Sequence, residues 1–214
     1  MTTSTRTTKR RAETRRRLID AAFTQFAERG FGRTTVEDVC EAAGYTRGAF
    51  YSNFDSLDEL FSAVYDQLSR EVVTAVTAAA TAARQQPGPR PGVEEVVDAA
   101  LAVMTADARV FAVHAEFMAH ALRHPEAAAA ITAFRARTRR ALADELGNVL
   151  GPDATPAQLD TLARSLVAVH DGTQAQVVME PGNPELARWR RDLLVAALRS
   201  ALPGGPPGQV AGGG

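Results

Sequence analysis

Residues 34–54 read TTVEDVCEAAGYTRGAFYSNF, two short helical patterns on either side of a glycine. In the first pattern Val36, Val39, Cys40 and Ala43 recur at i, i+3, i+4 and i+7, so they share one apolar face. Thr34 with Glu37, or Thr35 with Asp38, has the spacing of a capping box at its start. Gly44 breaks the pattern. In the second, Ala49 and Phe50 are the buried side, leaving Thr46, Arg47, Gly48, Tyr51 and Ser52 outward. A helix-turn-helix needs this division, because one side holds a small core while the other lies in a major groove. Gly48 leaves room for close backbone approach, and Arg47 can donate two hydrogen bonds to guanine O6 and N7. Tyr51 and the threonine hydroxyls suit phosphate oxygens. A plain helical hairpin would show much the same spacing.

Working outward, residues 1–17 hold Arg6, Lys9, Arg10, Arg11, Arg15, Arg16 and Arg17 against one acid, Glu13. That arm is net +6, so the other 197 residues carry −7 of the chain's total of −1. A basic arm on an acidic body points to a polyanion partner at one end, or else to a solvated tail. Past the arm, Ile19, Ala22, Phe23 and Phe26 form one face of a helix expected over 10–29, which Gly30 ends. A short helix is expected over 46–52 and a long one from Ser56, with Leu57, Leu60, Phe61, Val64, Leu68 and Val72 as its stripe.

The remaining chain continues as helices. QQPGPRPG at 85–92 is a loop and residues 203–214 a flexible tail. Helices are expected over 93–106, 110–123, 125–150, from the Thr155-Pro156 start to 179, and from Asn183-Pro184 to 201. The sum is an all-α chain of about nine helices. Its 41 alanines among 214 residues, with three Tyr and one Trp, agree, since alanine favours helix and strands favour β-branched and aromatic residues. Three domains are expected: a DNA-binding unit with its arm over 1–54, a helical ligand-binding and dimerisation unit over 55–202, and the tail.

Several function classes recede. The single cysteine, Cys40, permits no intramolecular disulfide and no cysteine-based zinc site. No run of about 18 apolar residues exists to span a membrane, and the polar N-terminus lacks the apolar core of a secretory signal, so a cytoplasmic location is expected. There is no glycine-rich phosphate loop, HExxH or nucleophile elbow, so no catalytic residues, enzyme activity or cofactor are expected. Glu116, His120 and His124 succeed one another at i+4 on one helix face. Two His and one Glu rarely suffice for a metal, and no metal site is assigned. Two further readings stay open: a helical metal- or ligand-binding protein, and a scaffold, each with a merely structural helix-turn-helix.

In the C-terminal half, Met104, Phe111, His114, Phe117, Met118 and His170 are candidates to line a ligand site, although Met and Phe at helical spacing also make ordinary core. The last two helices carry apolar stripes that include Leu162, Leu166 and Val169 on one and Trp189, Leu193 and Ala197 on the other. These six are the candidate dimer seam.

The stretches LIDAAFTQFAERGF (18–31), TTVEDVCEAAG (34–44), TRGAFYSNF (46–54) and SLDELF (56–61) together closely resemble the DNA-binding domain of the TetR family of bacterial transcriptional regulators. LVAVHDGTQAQVV (166–178) looks like the penultimate helix of such proteins. The resemblance implies an all-α homodimer that acts as a ligand-responsive repressor, released from a palindromic operator by a small apolar or amphipathic effector. By position it implies that Thr35, Thr46 and Tyr51 contact phosphate and that Arg47, Gly48 and Ser52 face bases. Tyr45, Asn53, Arg10 and Arg11 complete the expected DNA-binding set. The family commonly has a lysine at the start of the fourth helix. Here Leu57 stands there, flanked by Asp55, Asp58 and Glu59, and the basic arm is expected to compensate. The expected partners are double-stranded operator DNA, the effector and a second copy of the chain.

Overall fold

A computed structural model describes residues 3–85, 92–104, 106–152 and 154–200. Most of the loop at 85–92 and the whole tail at 203–214 lie outside the described residues. The described residues form nine α-helices and no strand. They are α1 (Thr3–Arg29), α2 (Val36–Ala43), α3 (Arg47–Tyr51), α4 (Leu57–Gln85), α5 (Val93–Val103), α6 (Ala108–Ala121), α7 (Pro125–Leu150), α8 (Pro156–Met179) and α9 (Pro184–Arg199). A single 3-10 turn, Phe31–Arg33, follows α1. None of the described helices is long and apolar enough to cross a membrane.

The starts and stops follow from local chemistry. Thr35 and Asp38 make the reciprocal box at the head of α2, and Thr155 with Gln158 makes another at the head of α8. Thr34 is excluded from capping because it is buried and its hydroxyl donates to the Gly30 carbonyl, 2.8 Å. Pro156 and Pro184 stand in the first turns of α8 and α9, where no amide hydrogen is missed. The helix over the basic arm begins at Thr3, earlier than the apolar stripe alone indicates, because periodicity marks only the face that packs.

The chain divides into two compact units. The first combines Met1–Ser69 with Ala108–Phe134. Its core gathers Leu18, Ala22 and Phe26 of α1, Val39 and Cys40 of α2, and Phe50 of α3. Phe54, Leu60, Phe61 and Val64 join them, as do Val113 and Phe117 of α6. Five phenylalanines, Phe26, Phe50, Phe54, Phe61 and Phe117, are fully buried there, each stabilising by about 1.5–3 kcal/mol relative to exposure. Within this unit α6 is tied by polar contacts as well as packing. The Phe31 amide donates to Glu116, 2.7 Å, and His120 meets Asp58 at 2.8 Å.

The second unit combines Arg70–Asp107 with Arg135–Gly214. Its apolar cluster is Val97 of α5, Leu146 of α7, Leu162 and Ala163 of α8, and Leu194, Val195 and Leu198 of α9. Ion pairs join its helices: Arg191 forks onto Asp98, Arg135 reaches Asp171, and Arg84 pairs with Glu145.

Candidate nucleic-acid interface

The turn between α2 and α3 is set by Gly44, whose φ of 70° is left-handed. That conformation lets its amide reach the Cys40 and Glu41 carbonyls while Tyr45 donates to Cys40, 2.9 Å. A side chain at 44 would be strained by the backbone although nothing crowds it. Thr46 then caps α3, its hydroxyl accepting from the Ala49 amide at 3.2 Å. With the cap and Phe50 fixed, α3 can be oriented in one way only. Phe50 goes to the core and Thr46, Arg47, Gly48, Tyr51 and Ser52 are exposed.

The α3 face is partly occupied by its own neighbours. Arg47 pairs with Glu37 at 2.5 Å, both side chains more than half exposed, and its guanidinium lies 5.9 Å from the Tyr51 ring centre. Tyr51 first and Glu37 second push the Arg47 pKa upward, so its charge is secure. Ser52 and Asn53 both donate to the Ala49 carbonyl at 2.8 Å, which holds them on the helix rather than extended from it. Thr35 is spent on Asp38 through both its amide and its hydroxyl. Gly48 differs. A Cβ there would meet only the Thr46 hydroxyl, at an ordinary 3.7 Å, so nothing in the fold demands a glycine.

Basic residues of α1 bracket the end of α3. Arg11 donates to the Ser52 carbonyl at 3.0 Å, and Arg15 to the Asn53 carbonyl at 2.9 Å. The Arg15 guanidinium also lies 4.2 Å from the Phe54 ring centre. These donors satisfy carbonyls that the end of a helix leaves without partners, and their charge suits its negative pole. Arg10 is exposed on α1, and Tyr45 is half-buried against the core. All ten expected DNA-binding residues therefore lie in the first unit, with Arg11 bonded to the end of α3. The acids near Leu57 hold local posts: Glu59 accepts from the Asp55 amide at 2.7 Å, and Asp58 is the partner of His120.

The six expected ligand residues divide between the units. Phe111, His114, Phe117 and Met118 lie on α6 in the first, and Met104 and His170 lie in the second. Phe117 is wholly buried, stacked on Tyr65 at 4.3 Å and edge-on to Phe61 at 4.8 Å. His114 is half-buried with its ring 5.6 Å from Tyr65. Phe111 and Met104 are half-buried, and Met118 packs on the first core. Of the expected seam, Leu162 is taken up by the chain's own core, with Leu166, Val169 and Ala197 packed against it. Leu193 is half-buried, while Trp189 is 44% exposed. Along the Glu116, His120, His124 face, the two rings stack at 3.9 Å and Glu116 serves the Phe31 amide. Among the described residues no group of three or more His, Cys, Asp or Glu is arranged to hold a metal ion.

Sequence reasoning missed the Arg11 and Arg15 carbonyl contacts and the burial of Arg190 on α9. Only the last left a trace: Arg190 stands one turn before Leu194 on the same helix face.

Two family models match this chain. Residues 18–64 match the bacterial regulatory proteins of the tetR family, and residues 89–203, more than half of the chain, match the C-terminal domain of BetI-type transcriptional repressors. The chain belongs to the TetR family. It is 46% identical over 63 residues to the HTH-type transcriptional regulator TtgR of Pseudomonas putida, a match covering 29% of this chain and 30% of that protein. The chain thus spans under a third of the length of that curated relative. Matches to TetR-family structures run much further. One from Mesorhizobium loti superposes with a TM-score of 0.69 at 19% identity, covering 89% of this chain and 96% of that one. The multidrug binding protein EbrR, solved with imidazole, superposes at 0.61 with 26% identity, covering 92% of each.

Proposed function

We propose that this TetR-family protein is a transcriptional repressor that binds a palindromic operator as a homodimer and is released by a small molecule. The observation that carries the reading is α3: it buries Phe50 and turns Arg47, Gly48, Tyr51 and Ser52 to solvent, with a glycine the fold does not need. Arg47 reads a guanine edge once Glu37 releases it, and Gly48 lets the α3 backbone approach the groove. Tyr51, Thr46 and Thr35 meet phosphates, with Tyr45, Ser52 and Asn53 beside them and Arg10 and Arg11 adding charge. The relatives named HTH-type regulators support this reading, and EbrR's name as a multidrug binding protein supports a site for small molecules. Trp189 on α9 and Met179 at the end of α8, 73% exposed, support a seam there with a second copy.

The effector acts only if it binds one dimer state more tightly than the other, since equal affinity shifts nothing. Selection of bound duplexes from a random pool tests the reading. An inverted repeat should emerge, its half-sites about 34–36 Å apart or a multiple of that. Failure to enrich any sequence over several rounds would remove the proposal.

A further inference from the structure

Arg190 is the one charged residue among those buried in the described chain, 4% exposed on α9. Its Nη2 donates to His170 Nδ1 of α8 at 2.7 Å. Since a guanidinium only donates, that His170 nitrogen accepts, and the ring is neutral with its proton on Nε2. The Arg190 Nε is buried with no acceptor. Among the described residues no carboxylate pairs with it: its neighbour Arg191 takes Asp98, and Arg199 takes Glu94. One turn beyond His170 on the same face of α8, the Gln174 Oε1 is also buried without a donor. Burial alone lowers the Arg190 pKa, with no acid opposing it. A buried cation without a counter-ion costs several kcal/mol, so its presence calls for an explanation, of which a bound anion is one.

We propose that Arg190 and His170 form an anion-binding end of the effector site, and that the effector is an organic acid presenting one carboxylate to Arg190. This rests on the reading of the second unit as the effector-binding part. The planar fork of a guanidinium matches a carboxylate. With His170 neutral, the site holds one uncompensated positive charge, which a monoanion balances and a doubly charged phosphate oversteps. The remainder of the acid meets apolar side chains, because Leu194 and Leu198 continue the Arg190 face of α9.

Calorimetry on the full-length protein in chloride-free buffer tests this with octanoate and benzoate against 1-octanol, benzyl alcohol and inorganic phosphate. The acids should bind about tenfold or more tightly than their alcohols, the scale of one charge-assisted hydrogen bond. Arg190→Met should abolish that preference, keep alcohol affinity and melt no lower than the wild type, since it removes an unpaired buried charge. Arg190→Lys should keep a weaker preference. A fall in melting temperature for Arg190→Met with Arg190→Lys unaffected would make the charge structural and overturn the proposal. Equal binding of acids and alcohols would overturn it, as would phosphate outcompeting the acids. Titration of the selected operator separates the two readings. Acid binding through Arg190 without DNA release leaves the site standing and the effector reading failed. DNA binding without acid preference does the reverse.

Discussion

Gly48 sits inside α3, where glycine costs about 0.5–1 kcal/mol relative to alanine, yet a Cβ would meet only the Thr46 hydroxyl, at ordinary contact distance. Gly48→Ala should therefore raise unfolding stability by that amount while weakening binding to the selected operator. Thermal melts and a DNA titration of one preparation check both halves, and an unchanged operator affinity would show that no partner approaches this point. Gly48 and Arg47 were legible because a glycine and a lone cation on a short helix stand out in a sequence. The roles of Thr35, Ser52 and Asn53 were less so, since each is bonded to neighbouring backbone in a way that spacing alone does not fix. Arg190 is buried although it stands between Arg188 and Arg191, because a charge pattern carries no burial information.

At the scale of elements, the head of α2 carries a pH dependence. The Thr35 hydroxyl, then the Thr35 amide, then Arg29 hold the Asp38 carboxyl below its ordinary range. A depressed folded-state pKa gives stability that is present above the unfolded value, near 3.9, and lost as pH falls through the folded one. Asp38→Asn should therefore be less stable than the wild type at pH 7, with the gap narrowing as pH falls below about 4. Urea unfolding between pH 3 and 7 measures this, and a gap that stayed constant would exclude the carboxylate as its source. Capping residues and apolar stripes made these elements readable in the sequence, with ends shifted by a few residues. The link from Glu116 to the Phe31 amide was not readable, because it joins residues 85 apart with no local pattern. The same holds for α6 entering the first compact unit, which only tertiary packing decides.

At the scale of the whole molecule, recognition of a palindrome requires two reading heads, so a dimer is expected at micromolar concentration. Light scattering reporting a stable monomer would break that link. The central claim is a division of labour: Arg47 specifies a base, and the basic arm supplies sequence-independent charge. A bidentate arginine–guanine contact is worth about 1–3 kcal/mol of discrimination. Deleting residues 1–12 removes Arg6, Lys9, Arg10 and Arg11, and each lost phosphate contact should reduce the salt slope by about 0.9. The most direct measurement is titration of wild type, Arg47→Ala and the deletion against selected operator and random duplex at several salt concentrations. Arg47→Ala should lose operator affinity and base preference at one position per half-site while keeping its affinity for random DNA. The deletion should weaken both and flatten the salt dependence. Equal loss on both duplexes for Arg47→Ala, or an unchanged salt slope for the deletion, would contradict the account.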